Sequence, residues 1–463
     1  MRTQQVRPGL VLAVSSLAAF LAFLDVTIVN IAFPAITTSF PTASLAGLSW
    51  VFTAYNVVFA ALLIPAGRLA DLLGRRRVFL AALGLFGVVS LACAVAPAAG
   101  WLVAARVLQA VAAALLAPSS LALLLPVFPP ERRGVAVGTW GAMGGVAAAT
   151  GPALGGVLVD AFGWRAVFLV NIPVVVVTLV AGVRLLTETR DERSSLPDLL
   201  SVGLLGAGVA LLSLGIVNGE DTWTGPGTLL PLLAGAALLV AFGVRSARVV
   251  NPLVEPALFR LRAFTGSVVG YLVFSAGFYA LLLSNILFLT RSWHYDVLLA
   301  GLAVTPGPLM AAVFSTVGGR LSDRFGARAS IVPGALVFAL GCLLFATRIG
   351  PDPAYVTAFL PATLLTGTGV GLVFSGLGTA AVAQLPPARF ATGSAVGTCA
   401  RQIGAVFGIA VLLSGLDAGG PGAFRTAWFA MVGTALATAV CGLVIGAVRA
   451  RPAPVPAPLE EIR

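Results

Sequence analysis

The chain contains no lysine, a single histidine and four cysteines, and only 10% of its 463 residues are charged. Soluble domains carry about 25% charged and about 45 to 50% apolar residues. With 59% apolar residues and a mean hydropathy of +1.02, this sequence excludes a water-exposed surface over most of its length. Cys93, Cys342, Cys399 and Cys441 lie far apart in apolar stretches, which excludes a disulfide framework and the close spacing of a metal or redox motif. His294 falls in a loop between Trp293 and Tyr295, no phosphate-binding loop is present, and no pair of carboxylates shares an apolar run. No catalytic constellation, metal site or cofactor is therefore expected, and the chain reads as something other than an enzyme. All 28 basic residues are arginine, a usage in step with heavy Ala, Gly and Pro content and hence with coding bias rather than chemistry. A formal charge of +11 in a soluble protein would suggest nucleic acid, but here the placement of charge matters more than its sum, and no nucleic-acid partner is expected.

What remains is long apolar runs. A membrane-spanning helix needs about 20 mainly apolar residues, and runs between charged or Pro/Gly-rich breaks place spans near Leu10 to Phe33, Gly47 to Ala70, Val78 to Ala96, Trp101 to Leu125, Val135 to Val159 and Ala166 to Leu186. Two more follow near Leu199 to Val217 and Thr228 to Val244, then six near Phe264 to Leu289, Val297 to Val317, Ser330 to Ala346, Ala354 to Ala383, Ala391 to Leu413 and Phe424 to Val448. The first run follows Arg2 and Arg7 but is too long for a signal peptide and lacks a small-residue cleavage site, so it is read as the first span. Twenty-two arginines fall in the tails and even-numbered connections, against Arg165, Arg291, Arg348 and Arg425 on the other side. The positive-inside rule then puts both termini in the cytoplasm and requires an even number of crossings.

The connection after the second span, Gly67-Arg68-Leu69-Ala70-Asp71-Leu72-Leu73-Gly74-Arg75-Arg76, matches Gly319-Arg320-Leu321-Ser322-Asp323-Arg324-Phe325-Gly326-Ala327-Arg328 at a constant offset of 252 residues. The chain therefore reads as a duplication. Six spans with short loops take roughly 190 to 200 residues, so the surplus predicts two helices inserted between the halves. The expected fold is an all-α integral membrane protein: a six-helix bundle over residues 1–190, an inserted helix pair and cytoplasmic segment over 191–262, a second six-helix bundle over 263–450 and a tail over 451–463. Parallel repeats related by an axis along the membrane normal are a build of secondary transporters, with the substrate held midway between them.

These residues resemble the major facilitator superfamily and, within it, the fourteen-span drug:proton antiporter family. Gly67 to Arg77 resembles the superfamily's loop motif; Arg106-Val107-Leu108-Gln109 resembles its fourth-span motif, with Ala110 where glycine is usual. Gly151-Pro152-Ala153-Leu154-Gly155-Gly156 is similar to a fifth-span motif of exporters, and Leu24-Asp25-Val26-Thr27 through Pro34 to the first-span signature of the fourteen-span branch, which Trp164-Arg165, Phe168, Asn171 and Pro173 also match.

Asp25 is the one carboxylate placed well inside a span, where an ionisable group is costly unless it faces a cavity or a partner. It is the expected proton carrier, and the resemblance implies that Arg106 takes part in proton translocation. Arg401 is the second arginine inside a span; its reading is divided between a coupling role and reaching back to the cytoplasmic interface. Tyr55, Asn56, Gln109, Tyr279 and Asn285 are the pocket candidates. Gly67, Asp71, Gly74, Arg75 and Asp323 of the two loops, with Gly151, Pro152, Gly155 and Gly156 of the fifth span, form the expected conformational gate. The second half offers no intramembrane carboxylate; since some members of the family it resembles use an extra acid for dicationic substrates, the resemblance implies neutral, zwitterionic or singly charged cargo.

The resemblance implies a proton-coupled efflux antiporter in the cytoplasmic membrane, exporting small amphipathic organic compounds such as drugs or antibiotics. Its partners are small-molecule substrate, protons and the bilayer; the proton gradient drives it, and the oligomeric state is left open, a monomer being compatible with this reading. The alternatives on the same scaffold are a symporter, a lipid exporter and a non-transporting membrane sensor.

Overall fold

A computed structural model describes residues 8–189, 198–219, 224–249, 252–385, 390–418 and 422–448. Arg2, Arg7, Arg190, Arg193, Arg389, Arg449, Arg451 and Arg463 of the orientation count lie outside the described residues, as do Asn251 and the Pro452 to Pro458 tail. The described residues are helical with no strand, as a bilayer demands of a chain that must satisfy every backbone polar group internally. In order the helices are α1 (Pro8–Ser39), α2 (Leu45–Leu73), α3 (Arg75–Ala94), α4 (Ala99–Leu124), α5 (Pro130–Phe162) and α6 (Ala166–Leu185). Then come α7 (Leu199–Asn218) and α8 (Pro226–Arg248). The last six are α9 (Arg262–Arg291), α10 (Val297–Phe325), α11 (Arg328–Arg348), α12 (Tyr355–Val382), α13 (Phe390–Ala418) and α14 (Ala423–Ile445).

Twelve of these are each long and apolar enough to cross a membrane, and α2, bent by 54° beside Pro65, makes a thirteenth. The remaining helix, α5, runs 33 residues with Pro152 inside it. The interruptions follow the chemistry of the chain. Helix α6 breaks at Val170, α10 breaks at Thr305 just before Pro306, and α12 opens with a π turn over Tyr355–Phe359 ahead of Pro361. Proline cannot donate the hydrogen bond that would continue a helix through it.

The duplication is visible in the packing. In the first half α1 lies against α5, α4 against both α2 and α3, and α3 against α6. Each pairing recurs eight helices later: α9 with α13, α12 with α10 and α11, and α11 with α14. The matching loops fold alike as well. Gly74 has φ +108° and Gly326 φ +89°, a region that side chains with a Cβ rarely enter. The residue after each glycine donates its amide to the chain just beyond the sixth helix of the same half: Arg75 to the Thr189 carbonyl at 2.9 Å, Ala327 to the Val448 carbonyl at 2.9 Å. A Cβ at Gly74 would also stand 2.7 Å from Oε1 of Glu188, which accepts the backbone amides of Arg76 and Arg77 at the start of α3. Gly74→Ala should therefore cost about 1–2 kcal/mol through its backbone alone and displace Glu188; a lowered melting temperature of the purified protein checks it, and an unchanged one would refute this account of the loop.

The inserted pair does not stand apart. Helix α8 comes within backbone distance of α7, since a Cβ at Gly235 would lie 2.7 Å from the Leu212 nitrogen. Arg245 holds Asp198 through two hydrogen bonds of 2.7 and 2.8 Å. Those bonds, with that of Ser201, hold the Asp198 carboxyl well below the usual carboxylate range, so the tie persists until strong acid. Helix α7 packs on both α2 and α13, with Val209 between Val57 and Val406 and Ile216 against Ala410. It thus covers one seam between the halves. The segment leading into α9 buries Val254 and Leu258 with Phe264, Leu385 and Val396, which anchors it beneath the second half.

Candidate functional site

Asp25 lies midway along α1, and both it and Arg106 of α4 are buried, at 0% and 1% exposure. At that depth neither charge can be left to water, and the structure pairs them: Arg106 Nη1 donates to Asp25 Oδ2. The rest of the shell is built from residues three apart on single helices, which share a face. Arg106 and Gln109 on α4 both reach Asp25; Gln109 Nε2 donates to Asp25 Oδ1 at 2.9 Å and to Ser90 Oγ at 3.0 Å, while its own Oε1 accepts from Arg106 Nη1 at 2.7 Å. Ser90 and Cys93 line the facing side of α3, where the Cys93 thiol lies 3.6 Å from Gln109 Oε1. Asn171, first residue after the break in α6, donates to Asp25 Oδ1 and to Ser90 Oγ at 3.3 Å each. Arg106 Nε donates to the Val51 carbonyl of α2 at 3.1 Å, and its guanidinium stands 4.2 Å from the centroid of the Tyr55 ring.

The carboxylate thus accepts from three side chains on two helices, α4 and α6, one of them charged. Asp25 answers the charge of Arg106, and the amides of Gln109 and Asn171 complete the shell around it. Breaking such a pair by removing one partner typically costs about 3–5 kcal/mol.

Arg106 also reaches the gap between the halves. A pocket there is walled by Val26 and Asn30 of α1, by Phe52, Tyr55 and Asn56 of α2, by Arg106, and from the second half by Tyr279 and Ile409. At about 10 Å³ it has room for about one water, so any organic cargo requires the halves to part. Asn30 Oδ1 and the Tyr55 hydroxyl are buried there without partners among the described residues, which leaves polar groups available to an occupant. Beside the pocket, Gln402 of α13 donates to Asn56 Oδ1 at 2.9 Å, joining the two halves directly.

The expected pocket residues therefore divide. Tyr55, Asn56 and Tyr279 stand on the wall; Gln109 sits behind Arg106 as a partner of Asp25; Asn285, buried with Oδ1 unpartnered, lies further along α9 and off the wall. Asn171, Ser90 and Gln402 carry parts of the site that no span-by-span reading assigns. Asn171 had a signal in the branch motif. Ser90 and Gln402 are ordinary polar residues until packing gives them partners.

The gate residues form two groups. In the loop, Arg75 Nε pairs with Asp71 Oδ1 at 2.7 Å and Arg75 Nη1 reaches the Ala122 carbonyl at 3.4 Å, while Arg68 Nη2 donates to the Pro252 carbonyl at 2.8 Å. Gly67 faces Pro118 of α4. Asp71 thus engages its own loop, and Asp323 in the second half is exposed, with no ion pair among the described residues. In α5, Ala147, Gly151 and Gly155 recur every fourth residue and turn to α1: the Ala147 carbonyl accepts from Thr27, and a Cβ on Gly155 would lie 3.0 Å from Ile28 Cγ1. Pro152 and Gly156 turn the other way, towards α10 of the second half. A Cβ on Gly156 would stand 3.0 Å from Leu298 Cα, and one on Gly301 would stand 2.5 Å from the Pro152 carbonyl oxygen. The α5 motif is therefore a backbone-to-backbone contact between the halves, near the ends opposite the arginine-rich loops.

The sequence and the fold are similar to those of known proteins. The family model described as Major Facilitator Superfamily matches residues 15–250 and 267–463. The puromycin resistance protein pur8 of Streptomyces alboniger is 36% identical over 434 residues, covering 93% of this chain and 85% of that protein; the multidrug resistance protein Stp of Mycobacterium tuberculosis (strain CDC 1551 / Oshkosh) is 33% identical over 411 residues, 88% of this chain and 76% of that protein. Among solved structures, a POT family transporter crystallised with 5-aminolevulinic acid superimposes with a TM-score of 0.69 over 95% of both chains at 17% identity, a likeness of fold alone.

Proposed function

The chain belongs to the Major Facilitator Superfamily, and from that premise we propose that it is a proton-coupled antiporter exporting small amphipathic organic compounds, drugs or antibiotics among them, across the cytoplasmic membrane. Family and relatives indicate a non-enzymatic transport role for small molecules in a multi-pass membrane protein. The observation that carries the proton coupling is the buried Asp25–Arg106 pair at the edge of the pocket between the halves.

In this scheme a proton entering from outside loads Asp25. Neutralisation releases Arg106 from its counter-charge while Gln109 and Asn171 remain as neutral partners, so the pocket wall changes its charge and its shape. The halves then rock, opening the pocket to the cytoplasm. Cargo occupies the wall formed by Tyr55, Asn56 and Tyr279, the proton leaves, and the restored pair accompanies the outward return. The Gly156–Leu298 contact parts when the outer side opens, and the Asp71 loop re-forms its contacts on the arginine-rich, cytoplasmic side. Both termini lie on that side.

The direct test is retention of a fluorescent lipophilic compound by cells expressing the protein. Energised cells should exclude it, and a protonophore should abolish the exclusion. Accumulation of the compound in energised cells would establish the symporter instead and refute the antiport reading.

A further inference from the structure

Arg401 is the second intramembrane arginine, and the structure treats it differently from the first. Between Phe390 and Arg401 the helix rises about 16 Å, so the backbone of Arg401 lies well inside α13, a helix of 29 residues. Arg106 has a carboxylate, an amide and a carbonyl as acceptors. Arg401 has none: among the described residues it forms no ion pair, and its Nε is buried without a hydrogen-bond acceptor. The residue as a whole is half-buried, and a guanidinium inside a span without an anion among the described residues is expensive.

Its surroundings are aromatic and lead to the pocket. The guanidinium lies 5.9 Å from the centroid of Phe374 on α12. Tyr271 of α9 stacks on Phe374 at 6.0 Å and packs on Gly397, one turn before Arg401, where a Cβ would stand 2.9 Å from its ring. Phe278 meets Phe374 edge-on at 5.5 Å and Tyr279 at 5.1 Å, and Tyr279 is already on the pocket wall. The next residue, Gln402, makes the bond to Asn56 that joins the halves. A cation without an anion among the described residues thus sits at one end of a track of rings whose other end is the pocket.

We propose that Arg401 is a cargo-binding residue for the anionic group of an aromatic compound, a carboxylate, sulfonate or acidic phenol, whose ring lies along Tyr271, Phe374 and Phe278. This rests on the transport reading above and narrows its substrate class. The chemistry fits: arginine presents a planar fork to an oxyanion while ring faces receive the apolar body. The anion supplies the counter-charge that the described residues do not, whereas Asp25 already neutralises Arg106.

The test is equilibrium binding to the full-length protein in phosphatidylcholine nanodiscs, with empty discs subtracted. The probes are 1-anilinonaphthalene-8-sulfonate and N-phenyl-1-naphthylamine, the same rings without the sulfonate. Wild type should hold the anionic probe about tenfold or more tighter than the neutral one, the ratio of one partly desolvated ion pair. Arg401→Gln should erase the ratio and leave the neutral probe's affinity in place, which also reports that the variant is folded; Arg401→Lys should restore part of it. No preference in wild type, or a preference that survives Arg401→Gln, overturns the proposal. So does displacement of the anionic probe by phosphatidylglycerol but not by 1-naphthalenesulfonate, which would make Arg401 a lipid contact. Because the readout is binding, its failure is separate from a failure of proton-driven export.

Discussion

Asp25→Asn leaves the chain inserted in the membrane and able to bind cargo, but reduces proton-driven efflux to the level of vesicles without the protein. The amide cannot exchange a proton, and its nitrogen now confronts donors, since Arg106, Gln109 and Asn171 all point at this site. Arg106 keeps its burial and loses its counter-charge, so the variant should also melt at a lower temperature, in keeping with the roughly 3–5 kcal/mol cost of orphaning one member of a buried pair. The double variant Asp25→Asn with Arg106→Gln separates the two effects. It should regain much of the thermal stability and none of the proton-driven transport. Recovery of transport in the double variant would mean that the pair is a structural post and that protons travel elsewhere.

The second large effect is expected at Gly156. The close approach of α5 to α10 exists because Gly156 presents only hydrogen towards Leu298 and Gly301 presents only hydrogen towards Pro152. Gly156→Leu cannot fit this contact without parting the halves. Overpacking of this kind costs about 1–3 kcal/mol, and a cost borne by one conformation alone shifts the balance between two by about 5- to 150-fold. The variant should therefore favour the state open on the side away from the arginine-rich loops and lose efflux in proportion. Cysteine accessibility at Leu298 (Leu298→Cys) reads this directly: labelling by a membrane-impermeant maleimide should rise in the Gly156→Leu background. Unchanged labelling with full efflux would show that the α5–α10 contact is passive packing.

The contrast between the legible and the illegible parts of this molecule has a physical reason. Span positions follow from apolar runs because lipid leaves the backbone few options, and the duplication follows from six identities in ten residues at one offset. Two ends of a long-range contact are also visible singly: Asp25 and Arg106 each stand out because a charge inside an apolar run demands an explanation. That they meet is a fact of how α1 crosses α4, on which the run of residues in either helix is silent. The same holds for Gln109, expected on the pocket wall and found behind it as a partner of Asp25, and for Asn171, whose place depends on the break in α6. The α5 motif reads as small-residue packing, but which neighbour each glycine meets depends on the helical face: Gly151 and Gly155 turn to α1 while Gly156 turns to the other half. The inserted pair is legible as two helices, whereas its position over the α2–α13 seam is set by Val209 and Ile216 finding partners in both halves.

If Asp25 exchanges its proton against cargo, adding cargo moves protons in liposomes that hold the purified protein and an internal pH dye. Lipophilic cations, neutral antibiotics and anionic aromatic compounds are added in turn. A compound that triggers proton movement with wild type, and none with Asp25→Asn at equal reconstitution, is the predicted result. Proton movement of equal size in both proteins would contradict the assignment of coupling to Asp25.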